Sequence, residues 1–185
     1  EECQRIIRVY RGTNKGITTL WRQAQDALMG MYQGYSNPLG RQGVLTVEAV
    51  NQAIRLPSKL LMRYDDLQAT QGERGPQFTY KTRRGRINIY GGKVIENVCQ
   101  AIARCVMAEQ MLLISKKYRV LLTVHDSVVC CVSDTKVDEA AAYVAQCMQW
   151  TPDWAAGLPL NGDVELGKNY GECTEWVNPH GRLVA

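Results

Sequence analysis

An α+β fold is predicted by two patterns that alternate along the 185 residues. Apolar residues recur at three- and four-residue steps over several stretches, the signature of amphipathic helices. Between and after those stretches, short runs rich in Val, Ile, Thr and Tyr are bounded by Gly, Pro, Asn or Arg, as strands joined by turns are. There is no internal repeat or low-complexity segment. The expected arrangement is a sheet with helices packed mainly on one side.

The elements follow in order. Residues 3–10 suit a short helix, which Gly12 and Gly16 should separate from the next. Ile17, Leu20, Trp21, Ala24, Leu28 and Met31 then fall on one face of an amphipathic helix. Residues 34–40, Gly-Tyr-Ser-Asn-Pro-Leu-Gly, read as a loop. A short helix is expected around 46–54 and an extended segment near 55–64. Residues 78–80 and 87–90 flank Arg83-Arg84-Gly85-Arg86, a hairpin with a basic tip. The clearest helix covers 93–117, with Val94, Val98, Ala101, Ile102, Cys105, Ala108 and Leu112 as its apolar stripe. Strands bracket His125-Asp126. Ser133 or Asp134 is placed to cap a helix burying Val137, Ala141, Val144 and Met148. Residues 158–170 read as a strand ending at Gly167.

Composition bounds the function. A 45% hydrophobic content can supply a core, and a net charge of +4 permits a nucleic-acid partner without requiring one. Lys81, Arg83, Arg84 and Arg86 crowd one short stretch, a pattern that solvated surfaces also show. The seven cysteines form no C-x-x-C pair, have no histidine at ligand spacing and are odd in number, which points to buried free thiols in a reducing compartment and to neither a disulfide framework nor a zinc site. No apolar run is long enough to span a membrane, and no secretory leader pattern opens the chain.

Two groups of residues suggest chemistry. The run LLTVHDSVVC places His125 and Asp126 inside what reads as buried strand. A buried carboxylate is costly unless it is paired or binds a metal. The plainer explanation is that His-Asp forms a hairpin tip, since Asp is a common turn residue. On helix 93–117, Asn97, Gln100 and Arg104 share one face at i, i+3 and i+7, bordered by Glu96. Such a row can donate hydrogen bonds to the acceptors that every correct base pair shows in the minor groove. An ordinary solvated face has the same composition.

Three stretches in this order, YGGKVIENVCQAIARCVMAEQM (90–111), VHDSVVC (124–130) and LPLNGDVELGKNYGE (158–172), resemble the C-terminal part of family A DNA polymerases. This is the bacterial DNA polymerase I group, and the bacteriophage members are the most alike. VYRGTNKGITTLWRQAQDAL (9–28) looks like the helix after the nucleotide-binding helix of the fingers. IRLPSKLLMRYDDL (54–67) is similar to the segment leading back to the palm. The resemblance implies helices from the end of the fingers over 1–43. Over 44–185 it implies a palm subdomain with an antiparallel sheet and a His-Asp hairpin, part of a larger polymerase hand.

It also implies template-directed addition of deoxynucleotides to a primer 3′-hydroxyl at a two-magnesium site. Asp126 would supply one metal-binding carboxylate and His125 a contact to the primer end. Gln100, Asn97, Glu96 and Arg104 would lie along the primer–template duplex. The implied partners are primer–template DNA, deoxynucleoside triphosphates and the upstream part of the same polymerase, with no membrane. The implied location is cytoplasmic, the bacterial host cytoplasm for a phage protein. The second aspartate and the fingers helix that carries Arg, Lys and Tyr would precede Glu1. Trp21, Leu28 and a sheet edge are candidates for the surface where that part docks.

The chain departs from the family pattern at several positions. Ser127 stands where a glutamate is usual, Cys105 where phage members have Asp, and Lys59-Leu60 where Gly-Arg is usual. Two other readings compete. One is a non-catalytic duplex-binding module or degenerate polymerase remnant using the face of helix 93–117. The other is a metalloenzyme using His125, Asp126 and Cys130 or Cys131, which the opposite facing of adjacent strand residues weakens.

Overall fold

The structure is a computed structural model and describes residues 1–72 and 75–177. It is α+β, as expected, and every strand pairing in it is antiparallel. The strands do not form one sheet. They fall into four small ones, two of three strands and two of two. The chain divides into two compact units, Glu1–Ile102 and Ala103–Ala185.

The first unit opens with helices α1 (Glu2–Thr13) and α2 (Lys15–Gln33). The break between them falls at Asn14, with φ −103° and ψ 57°, so Gly12 and Gly16 lie inside helices rather than separating them. No α1 residue is buried; Ile6, Ile7, Val9 and Tyr10 are all exposed. By contrast α2 buries Ala24, Ala27, Leu28, Gly30 and Met31. Leu28 is therefore core and is not available for docking. Helix α2 ends at Gly34, whose φ of 88° is a left-handed C-cap that a side chain would strain.

Strands β1 (Thr46–Glu48), β2 (Ala53–Arg55) and β3 (Leu61–Arg63) make a meander where a short helix and an extended segment were expected. β-branched Thr46, Val47 and Ile54 favour extended backbone, and Val47, Ala53 and Ile54 are buried. The reversal between β1 and β2 is fastened by Glu48, which accepts hydrogen bonds from Asn51 and Arg55. Lys59 sits in the β2–β3 turn with φ 69°.

A second meander joins β4 (Gln68–Gly72), β5 (Gly75–Thr82) and β6 (Gly85–Ile89). The β5–β6 hairpin was expected from the sequence; its third strand, β4, was not. Phe78 and Ile89 pair across it and are buried, at 1% and 2% exposure. They join Leu28, Met31, Ile54, Tyr64, Val94 and Val98 in the core of this unit.

The long helix α3 (Gly91–Ile114) begins against α2. The Gly91 amide donates to the Gln25 side chain at 2.8 Å. A Cβ on Gly91 would lie 2.0 Å from the Trp21 carbonyl oxygen, so the crossing admits only glycine. The expected stripe of α3 holds at Val94, Val98 and Cys105, all buried. It fails at Ala108 and Leu112, which are exposed. Further along, Val106, Met107, Gln110 and Ile114 are buried instead, so the buried side turns around the helix as it advances.

The second unit contains the rest of α3 and the hairpin β7 (Val120–Val124) and β8 (Ser127–Cys130). Helix α4 (Val137–Gln149) follows, and then the small pair β9 (Glu165–Leu166) and β10 (Thr174–Glu175). A single 3₁₀ turn, Asp134–Lys136, precedes α4, and Ser133 makes no side-chain cap there; its hydroxyl pairs with that of Thr135. Helix α4 buries Ala140, Ala141, Ala145 and Cys147, while Val137, Val144 and Met148 are half-buried. The strand expected over 158–170 is reduced to Glu165–Leu166, pairing across a 3₁₀ turn with Thr174–Glu175. Gln110, 2% exposed, donates to the Met148 and Trp150 carbonyls at 2.7 and 3.0 Å, closing the end of α4. No helix among the described residues is long and apolar enough to cross a membrane.

Candidate nucleic-acid interface and hairpin carboxylate

The β7–β8 hairpin turns on two residues, His125 and Asp126, between the paired Val124 and Ser127. His125 takes φ 53°, a left-handed conformation in which His is more at home than bulky or β-branched residues are. A bulge between Val120 and Leu122 adds twist to β7. The expectation that this run is buried does not hold. His125 and Asp126 are exposed, and Leu121, Leu122 and Val124 are 51%, 49% and 37% exposed. Among the described residues the sheet holds only these two strands, and no third strand flanks them; Val128, Val129 and Cys130 on β8 are half-buried. A buried carboxylate therefore needs no explaining; a hairpin displays one instead. Among the described residues no hydrogen bond or ion pair engages Asp126 or His125.

Hard carboxylate oxygens suit magnesium, and Asp126 offers two that are free to ligate. No group of three His, Cys, Asp or Glu residues that could hold a metal exists among the described residues. Asp126 therefore does not form a metal site with other described residues. The cluster required for His125, Asp126 and Cys130 or Cys131 to bind a metal together is absent among those residues. Cys130 is half-buried, and burial pushes its thiol up, away from the thiolate a metal would need.

On α3 the four polar residues have different surroundings. The Glu96 carboxylate accepts from Lys93 through both oxygens at 2.8 Å, and this contact raises the Lys93 ammonium. Asn97 donates to the Tyr64 hydroxyl at 3.4 Å. Gln100 and Arg104 are exposed and have no partner among the described residues. Two of the four are therefore committed to the fold and two face outward unengaged. Tyr64 was not anticipated from sequence. It is 1% exposed, stacks edge-on to Tyr80 at 5.2 Å, and burial pushes its phenol up to about 12.

The basic hairpin tip is sharply built. Thr82 and Gly85 pair across Arg83-Arg84, and the Thr82 hydroxyl donates to the Gly85 carbonyl at 2.7 Å while accepting from the Arg84 amide at 3.2 Å. Arg86 is held by Asp66 at 2.6 Å and by Thr79 at 3.2 Å. The hydrogen bond from Arg86 keeps the Asp66 carboxyl below its ordinary range, helped by the nearby Lys81 charge.

The chain is 30% identical over 174 residues to a DNA polymerase of Bacillus phage SP02. The match covers 88% of this chain and 26% of that protein, so the chain spans about a quarter of the length of its relative. No protein-family model matches the chain, and no solved structure does. The similarity establishes a relationship to a DNA polymerase.

Proposed function

We propose that the chain is the C-terminal part of a family A DNA polymerase, covering the end of the fingers over 1–43 and the palm over 44–185. The reaction is template-directed transfer of deoxynucleotides to a primer 3′-hydroxyl. The observation that carries this reading is the Asp126 carboxylate, displayed at the tip of a two-residue hairpin with no partner among the described residues. Supporting it, the similarity to the phage polymerase extends through most of the chain.

Asp126 would hold magnesium together with carboxylate from outside the described residues. The chemistry supplied by bound magnesium is activation of the primer hydroxyl and stabilisation of the leaving pyrophosphate. His125, fixed beside Asp126 by the turn, contacts the primer end. Gln100 and Arg104 donate to minor-groove acceptors, which are nearly the same at every base pair and so track the duplex without reading it. Asn97 keeps hydrogen-bonding capacity beyond its contact to Tyr64, while Glu96 positions Lys93. Ser127 removes an auxiliary carboxylate and leaves Asp126 in place.

The test is primer extension by the complete polymerase carrying Asp126→Asn. Extension should be abolished while thermal stability stays within about 0.5 kcal/mol of wild type, because the residue is exposed and unpaired. Undiminished magnesium-dependent extension would refute the assignment and favour a non-catalytic duplex-binding module.

A further inference from the structure

Four cations lie close together on the β5–β6 hairpin, and the reaction above uses none of them: Lys81 on β5, Arg83 and Arg84 in the turn, and Arg86 on β6. Lys81 and Arg86 are direct cross-strand partners. Like charges in that relation repel, so the fold gains nothing from the pair itself. Among the described residues one carboxylate, Asp66, answers them, bonding Arg86 and lying close enough to feel Lys81. Asp65, next to it, receives the Lys81 amide on its backbone carbonyl. Arg83 and Arg84 have no acidic partner among the described residues, and both are exposed.

The tip is also stiff. Its turn is closed by the Thr82–Gly85 pairing and by both hydrogen bonds of the Thr82 hydroxyl. Gly85, at φ 120°, takes up a conformation closed to side chains. Two guanidiniums are therefore presented from fixed backbone, so less freedom is lost when they bind. Guanidinium forks match phosphate oxygens in pairs. The turn residues Thr82, Arg83, Arg84 and Gly85 include no aromatic ring on which a base could stack.

We propose that this hairpin tip is a second nucleic-acid contact, gripping the phosphate backbone of duplex DNA through Lys81, Arg83 and Arg84 without regard to sequence, with Arg86 and Asp66 as its anchor. The inference rests on the polymerase reading for the identity of the polyanion. The rival explanation is that these cations merely guard β6, an edge strand, from pairing with other chains.

The experiment measures binding of the full 185-residue chain to a blunt duplex and to a single strand of equal length, across a salt series. Two variants are compared with wild type: Lys81→Gln with Arg83→Gln and Arg84→Gln, and a control with Arg8→Gln and Arg11→Gln on α1. The hairpin variant keeps Thr82, Gly85 and the Asp66–Arg86 pair, and its circular dichroism should match wild type. We expect its duplex affinity to fall about tenfold or more near 0.1 M salt, and its log–log salt slope to become shallower by roughly 2–3. The α1 control should change neither. An unchanged slope in the hairpin variant overturns the inference and leaves the Asp126 assignment standing. An equal loss in the α1 control overturns it too, since general charge would then explain binding. A loss confined to the single strand overturns the duplex assignment. Absence of wild-type binding overturns the inference whatever Asp126→Asn does to extension.

Discussion

Tyr64 illustrates how one side chain can be both core and electrostatic element. Its ring is buried, and its hydroxyl accepts from Asn97 and lies 3.9 Å from the Met62 sulfur. Burial raises its phenol from 10.0 to about 12. The neutral form is therefore favoured in the fold. This contribution is fully present below about pH 10 and is lost as pH rises towards 12. Tyr64→Phe should cost no more than about 1 kcal/mol at pH 7, the value of one long hydrogen bond. It should also remove part of the wild-type loss of stability between pH 10 and 12. Urea unfolding of both proteins at pH 7, 10 and 11.5 checks this; parallel pH curves would refute it. Lys59 carries a different cost. Its φ of 69° suits glycine, the residue that the resemblance led one to expect there. Lys59→Gly should raise stability by roughly 0.5–1 kcal/mol, the strain released less the added freedom of the unfolded chain. No rise in the urea midpoint would show that the turn bears no strain. At this scale the hairpin position of His125-Asp126 was legible, because turn chemistry is local. Its exposure was not, because burial depends on what packs against a strand, and alternation along the strand is silent on that.

Helix α3 shows both what periodicity reveals and where it misleads. Its extent is close to the predicted one, since a long stretch averages over many turns. Its buried side was extrapolated as a straight stripe, whereas the buried positions shift around the helix, from Val94 and Val98 to Met107, Gln110 and Ile114. Ala108 and Leu112 therefore lie outside the core, and Gln110 lies inside. A buried glutamine has no apolar signal that marks it; its task, satisfying two carbonyls at the end of α4, appears only in three dimensions. Gln110→Ala should destabilise the second unit by about 2–3 kcal/mol, because both carbonyls are left without that donor in a buried site. Chemical denaturation followed by α4 helicity measures it, and a loss under 0.5 kcal/mol would mean that water replaces the amide. The short β1 and β2 were misread as helix for a related reason. Strands of three residues are too brief to show a period of two.

Across the whole chain, the fold class was legible because it needs only the presence of helices and turn-bounded strands. The partition into two units and four sheets was not, because it depends on which strands pair over distance. The units differ in how they are filled. The first buries Leu28, Met31, Ile54, Tyr64 and Phe78, whereas α4 of the second buries only alanines and a cysteine. Large side chains bury more apolar area, so local stability should be uneven. Amide exchange should be slowest in the second half of α2, in β2 and β5 and at the start of α3. It should be slower there than in α4, and fastest in α1, which buries no residue. Uniform protection that included α1 would contradict this picture.

The meeting of α3 with α2 bears on how freely such a sequence can change over time. At position 91 a single methyl group would collide with main-chain atoms, 2.0 Å from the Trp21 oxygen and 2.9 Å from the Gln25 nitrogen, and main chain cannot rotate aside. At the neighbouring Gly92 an added carbon would meet side chains alone, the Tyr90 ring at 3.1 Å and the Trp21 indole nitrogen at 3.9 Å, and a ring can turn. The two adjacent glycines look interchangeable on paper, yet drift is open at the second and closed at the first. Any descendant that keeps this helix crossing must keep a bare hydrogen at position 91, where Trp21 acts through its backbone oxygen while its ring stacks on Tyr10.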